Sequence, residues 1–231
     1  MYIQITDQCN MTCAHCCFAH GPTKTPTHMD WSTWVDALRV AANYGEHIAI
    51  GGGEPTCHPD FKRMVRLALE HGDIESVWLA TNGKKTKTAL WILRKIERLQ
   101  DWGEEHKFSA DLSRDPWHDP IDPKVVQAFG KNIRDVSKSF RGLMNHGRAK
   151  ENQMAPEEND CLCEGLHVKP SGTVHICGCP EAPAIGHVRD FDLDDSLDPC
   201  DCYKNQTGVT NATLARAFGL AEPINVESLN L

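Results

Sequence analysis

The chain lacks any apolar run long enough to span a membrane, and its N-terminus lacks the charged and apolar regions of a signal peptide. Together these absences predict a cytoplasmic protein. No internal repeat and no long low-complexity tract is present, which excludes a repeat array. Positive charge is in deficit as well. A formal net charge of −8 argues against a general nucleic-acid coat protein, while leaving room for a local basic groove.

Cysteine is abundant, with 11 in 231 residues. In a cytoplasmic chain that argues for metal rather than disulfides, and the odd count leaves some as ordinary thiols. Three of them, Cys9, Cys13 and Cys16, lie on one short stretch. Three thiolates on a loop can wrap three irons of a cubic iron–sulfur cluster and leave the fourth iron open to a small molecule. Half of a zinc site is the other reading of that spacing.

Two further motifs follow strand-like runs. Ile48-Ala49-Ile50 leads into Gly51-Gly52-Gly53-Glu54-Pro55, where glycines permit close approach to a ligand and the carboxylate can accept from an ammonium group. An ordinary Gly-rich turn with a helix-starting Pro would look the same. Trp78-Leu79-Ala80 leads into Thr81-Asn82-Gly83, a polar turn that also ends many ordinary strands.

The cysteine spacing, followed by the Gly-Gly-Glu-Pro segment and Thr81-Asn82-Gly83, resembles the radical S-adenosylmethionine (radical SAM) enzymes. That resemblance implies a 4Fe-4S cluster on Cys9, Cys13 and Cys16, with SAM chelated at the open iron. Reductive cleavage of SAM would then give a 5′-deoxyadenosyl radical that abstracts hydrogen from substrate. It also implies SAM contacts from His15, in the place of an aromatic side chain near the adenine, from Gly51, Gly52, Gly53 and Glu54 around the amino group, and from Thr81 and Asn82. An electron donor such as flavodoxin or ferredoxin is implied too.

The pattern along the chain predicts alternating strands and helices. Strands are expected at Tyr2 to Thr6, His47 to Ile50, Ser76 to Thr81 and Lys107 to Leu112. Helices are expected at Trp31 to Tyr44, Pro59 to His71, Thr86 to Leu99 and Pro123 to Phe129, with a strand or turn near Asp135 to Phe140. Repeated βα units imply a parallel sheet with catalytic groups at the C-terminal strand ends. Four or five units are too few for a closed barrel. The expected fold is therefore α/β: a partial, open barrel over residues 1–148, a linker over 149–160, and a small cysteine-rich β-hairpin lobe over 161–231. A short helix is expected at Asn211 to Leu220.

Six cysteines in that lobe come in pairs: Cys161 and Cys163, Cys177 and Cys179, Cys200 and Cys202. Pro170-Ser171-Gly172 between two β-like stretches reads as a hairpin turn. The pattern, with Gly147-Arg148-Ala149 before it, resembles the auxiliary-cluster region of Twitch and SPASM radical SAM enzymes. That implies a second 4Fe-4S cluster on Cys161, Cys177, Cys200 and Cys202, with Cys163 and Cys179 as substitutes. Structural zinc fits four thiolates equally well. Cys17 and Cys57 read as thiols outside the metal sites.

Substrate candidates lie on the segment after the fourth strand. Asp111, Ser113, Asp115 and His118 offer polar or catalytic contacts, and Trp117 offers a stacking face. A Pro-bounded loop with a surface Trp is the plainer alternative. Residues 131–150 are locally basic, with Arg134, Lys138, Arg141 and Arg148, which suits an anionic partner or a solvated helix face. The expected substrate is a nucleotide or a modified nucleobase in nucleic acid, with isomerisation or another modification as the outcome. A peptide or protein, as in peptide maturation or glycyl-radical activation, is the alternative, although no added peptide-recognition domain is evident. A non-catalytic zinc or iron–sulfur module is the third reading.

Overall fold

The computed structural model describes residues 1–23, 25–44, 46–138, 142–156, 165–179 and 182–192. Strand β1 (Tyr2–Thr6) enters the core at once, with Ile3 and Ile5 fully buried. Helix α1 (Trp31–Tyr44) starts where Asp30 Oδ1 accepts from Thr33 N at 2.8 Å, and it buries Trp34, Leu38 and Ala41 on the stripe that its spacing predicts. Then come β2 (His47–Gly52), α2 (Phe61–Glu70), β3 (Ser76–Thr81), α3 (Thr86–Asp101), β4 (Phe108–Ser113), α4 (Pro123–Phe129) and β5 (Ile133–Arg134). Helix α2 begins two residues after the expected Pro59, because a 3-10 turn at Pro55–Cys57 and the bend at His58 carry the chain first. Val136–Lys138 forms another 3-10 turn in the region where a strand or turn was expected.

Among the described residues, eight strands form one sheet in the order β5-β4-β3-β2-β1-β6-β7-β8. From β5 to β1 the neighbours are parallel and consecutive, each pair joined through a helix-containing crossover. The result is an α/β fold with a mostly parallel, open sheet. Its core is one cluster running from Ile3 and Ile5 through Ile50, Leu79 and Leu112 to Phe61, Ile92 and Val125.

The C-terminal hairpin continues this sheet. Helix α5 (Gly147–Glu151) comes first, so residues 149–151 of the expected linker are helical. Strand β6 (His167–Val168) then pairs parallel to β1, with Tyr2 opposite His167. Strands β7 (Thr173–His175) and β8 (Ala184–His187) follow antiparallel. The free edge of β1 is thereby covered, and Val168, Val174 and Val188 join the main core. The expected helix at 211–220 lies outside the described residues.

Candidate active site at the cysteine loop

The loop after β1 closes on itself. Cys9 N donates to Gly21 O at 3.2 Å, Cys16 N to Cys13 O at 3.2 Å, and Ala19 N to Cys16 O at 3.1 Å. Cys9 is buried, and Cys13 and Cys16 are half-buried. Burial pushes the Cys9 thiol up to about 12, helped by Glu54, Cys13 and Cys16. Burial likewise pushes Cys13 up to about 11, helped by Cys16 and two aspartates. Thiols that oppose one another's ionisation suit a shared cation, since binding iron or zinc stabilises the thiolates. The donor set therefore fits a metal cluster.

The glycine segment fits the loop entry through its backbone. Gly53 N donates to Thr6 O at 2.9 Å and Glu54 N to Gln8 O at 2.8 Å. A Cβ on Gly53 would fall 2.5 Å from Gln8 O, so the end of β2 runs this close to the loop only with glycine there. The Glu54 carboxylate is 1% exposed and has internal partners. Oε1 accepts from Thr56 N (3.2 Å), Thr56 Oγ1 (2.6 Å) and Thr81 Oγ1 (2.8 Å), and Oε2 accepts from Asn82 N (2.7 Å). Burial raises its pKa while these donors pull it back. Glu54 thus braces β2 to β3. Thr81, expected to meet SAM, turns its hydroxyl to that brace.

Asn82 turns toward the loop. Its Nδ2 donates to Asn10 Oδ1 at 2.8 Å and reaches Cys9 Sγ at 3.8 Å. Lys84 Nζ donates to Asn10 O at 2.9 Å and pairs with Asp119. Asn10 and Lys84 were not singled out from the sequence. Their adjacency to Cys9 and Asn82 was the available signal.

A second cluster gathers around Asp115. Its two oxygens meet His15 Nε2 at 3.2 Å and His118 Nδ1 at 2.8 Å. Burial works to raise this carboxyl, but the hydrogen bonds from His118 and His15 outweigh it and hold it well below the usual carboxylate range. The Trp117 ring lies 5.0 Å from the His15 ring. His15, Asp115, His118 and Trp117 are thus brought together as one group beside the cysteines. The ligand atoms of the two histidines and Asp115 lie within 4.8 Å of one another, and the hydrogen bonds account for that closeness without an ion. His15 Nδ1 is buried and has no hydrogen-bond partner among the described residues, which leaves a polar atom for a ligand to meet.

The other candidates are dispersed. Asp111 accepts from Trp78 Nε1 at 3.2 Å, and Arg134 lies 5.9 Å from the Trp78 ring centroid. Ser113 ends β4. Lys138 is largely exposed and pairs with Asp135 at 3.1 Å. An open cleft of about 650 Å³ at this rim is lined by Arg114, Asp115, Pro116, Ile133, Asp135 and Lys138. Arg148, expected to face an anion, instead points its guanidinium at carbonyls of the cysteine loop, so the basic segment does not form one patch. Arg141 lies outside the described residues.

In the hairpin lobe, Cys177 and Cys179 are both buried at 1% exposure. Cys161, Cys163, Cys200 and Cys202 lie outside the described residues. Sequence reasoning also missed a polar chain beneath the loop. His167 Nε2 meets Gln4 Oε1 at 3.1 Å, and Gln4 Nε2 meets His20 Nε2 at 2.8 Å. Burial raises the Cys17 thiol to about 12.

Residues 3–112 match the family model of the Radical SAM superfamily. The chain is 29% identical over 137 residues to a GTP 3′,8-cyclase of Limosilactobacillus fermentum, covering 58% of this chain and 38% of that protein. It is 31% identical over 104 residues to a PqqA peptide cyclase of Methylobacterium nodulans, covering 45% of this chain and 26% of that one. It thus spans less than half the length of these curated relatives. Among solved structures, BtrN in complex with AdoMet and 2-DOIA shares the fold, with a TM-score of 0.57, 18% identity, and coverage of 81% of this chain and 77% of that one. Among the described residues, no helix is long and apolar enough to cross a membrane.

Proposed function

We propose, from the match of residues 3–112 to the Radical SAM superfamily model, that the chain is an enzyme holding a 4Fe-4S cluster on Cys9, Cys13 and Cys16 with SAM beside it. When bound, such a cluster supplies one-electron cleavage of SAM to methionine and a 5′-deoxyadenosyl radical that takes hydrogen from substrate. The observation that carries the reading is the closed loop that gathers three cysteines against Asn82 and the Gly53–Glu54 backbone.

The surrounding residues have separable tasks. Asn82 orients the loop entry through Asn10 and donates toward Cys9 Sγ, a contact that favours thiolate. Glu54 holds Asn82 in place through its backbone, so its side chain acts on SAM indirectly and the neighbouring backbone makes the direct contact. Asp115 accepts from His15 Nε2–H, which fixes the ring and leaves bare Nδ1 as an acceptor for the adenine side of SAM.

The substrate in this reading is a nucleotide or modified nucleobase, taken at the cleft beside Asp115. Arg114 and Lys138 line that cleft and suit a phosphate, and Trp117 offers a ring face nearby. A peptide substrate is the second reading, favoured by the similarity to a PqqA peptide cyclase. A second cluster on Cys177 and Cys179, completed from Cys161, Cys163, Cys200 and Cys202, belongs to the same proposal, as does reduction by a flavodoxin or ferredoxin in the cytoplasm.

The test is 5′-deoxyadenosine formation by anaerobically reconstituted protein given SAM and dithionite, with and without nucleotides, DNA, RNA and peptides. A rise with one class identifies the substrate. No product from a chain with an intact cluster overturns the reading. Charge reversal at Lys138 should weaken a phosphate-bearing substrate and leave a neutral peptide unaffected.

A further inference from the structure

The cysteine loop satisfies few of its carbonyls by itself: Cys16 N reaches Cys13 O at 3.2 Å and Ala19 N reaches Cys16 O at 3.1 Å, and no regular ladder among the described residues serves the others. Here the loop's carbonyls are met from more than 100 residues away in sequence. Arg148 Nε donates to Cys13 O at 2.8 Å and Nη1 to Ala19 O at 2.8 Å, while Nη2 donates to His20 O. The Arg148 backbone N donates to Cys16 O at 3.0 Å, and Asn152 Nδ2 donates to Ala14 O at 2.9 Å. Five carbonyls of the loop thus end on two residues of one short segment.

The segment is built for this approach. Gly147 has φ +50, and a Cβ there would fall 2.5 Å from Cys17 O and 2.7 Å from Cys16 O. Only glycine lets the two backbones come so close in that conformation. Arginine is the side chain that suits the next position, because its rigid planar fork presents donors in several fixed directions at once. A lysine carries the charge but cannot bridge three separated carbonyls in the same way.

We propose that Arg148 is a positioning residue for the metal-binding loop: it holds the Cys13–His20 arc in shape and keeps a fixed positive charge beside the cluster. The proposal rests on the cluster reading above. A reduced cluster carries one more negative charge than an oxidised one, so a cation held at the Cys13 carbonyl stabilises the reduced form and raises its potential.

The experiment compares the reconstituted full chain with R148Q and R148K. Two quantities are read: the rate at which a chelator strips iron, and the midpoint potential of the reduced-cluster signal that responds to SAM by electron paramagnetic resonance. R148Q should lose iron about tenfold faster, the factor that losing a charged hydrogen bond implies, and its midpoint should move negative. R148K should also lose iron faster while its midpoint stays near wild type. Full loading, unchanged stripping and an unchanged midpoint in both variants overturn the proposal and leave the cluster reading standing. Faster stripping with no shift in R148Q overturns its electrostatic half. A wild-type chain that takes up no iron, or a C13A chain that keeps the SAM-responsive signal, overturns the cluster reading itself. Should R148Q not fold, R148K and Asn152→Ala carry the test, the latter with a smaller rise in stripping.

Discussion

The cysteine loop is held differently at its two ends. At the entry, Cys9 and Asn10 are fixed by Asn82, Lys84 and the Gly53–Glu54 backbone, all at the C-terminal ends of β2 and β3 or just beyond. At the exit, the arc from Cys13 to His20 is fixed by Arg148 and Asn152 in the segment before the hairpin lobe, and by Gln4 beneath His20. The entry supports lie inside the family-matched stretch of residues 3–112, whereas Arg148 and Asn152 lie beyond it. The family-matched stretch therefore contains the three proposed ligands but leaves out the residues that hold the exit side of their loop. Strand β6 reinforces the exit side too, since His167 pairs opposite Tyr2 and contacts Gln4.

The most severe way to break the comparison is to remove what both ends serve. Cys13→Ala should reduce SAM cleavage to background, measured as 5′-deoxyadenosine under dithionite, while circular dichroism shows the sheet intact. Cleavage near the wild-type rate would contradict the ligand assignment.

Glu54→Gln tests the entry brace alone. The amide must turn an NH2 group toward donors that now reach a carboxylate, leaving buried donors unmatched at a cost of about 2 to 3 kcal/mol. The thermal midpoint should drop clearly. An unchanged midpoint would mean that the brace contributes little.

Asn82→Ala is gentler. It leaves the backbone bond to Glu54 and removes the side-chain bonds to Asn10 and Cys9, so SAM cleavage should fall about tenfold with stability nearly unchanged. If Asn82→Ala and R148Q have opposite signatures, rate against potential, the two ends are distinct in function as well as in place.

The smallest effect at neutral pH concerns the exit side. Burial lowers His167 to about 3, followed by the influence of Lys169, His175 and His20. Below its ordinary value of about 6.5 the unfolded chain binds a proton that the folded chain refuses. Stability from this site is complete above about 6.5 and is lost as pH falls toward 3. His167→Gln should flatten the pH dependence of the denaturation midpoint in that window, and an unaltered slope would exclude His167 as its source.

Several elements stand at the bounds that sequence pattern predicts. These are β1, α1, β3 and α4, each announced by local periodicity or by a cap such as Asp122 before Pro123. The cysteine loop and the Gly-Gly-Glu-Pro turn are legible because their chemistry is packed into adjacent residues. The role of Glu54 was less legible, since a carboxylate after glycines reads the same whether it faces a ligand or two threonines. Asp115 and His118 are legible as candidate contacts on one loop, whereas their closing around His15 joins residues 100 positions apart and no local pattern shows it.

By itself the sequence determined the alternating βα pattern, the open parallel sheet and the thiols on one loop, because periodicity and spacing are local properties of the chain. Only the tertiary structure decided which side chains support that loop. It set Arg148 on the carbonyls of Cys13, Ala19 and His20, and it laid β6 beside β1 to bring His167 beneath His20. Those contacts form because loop carbonyls without a ladder and imidazoles under the loop must find partners once the fold brings them to a protein surface or beneath it. The partners that satisfy them are chosen by proximity in the fold, which no local pattern records.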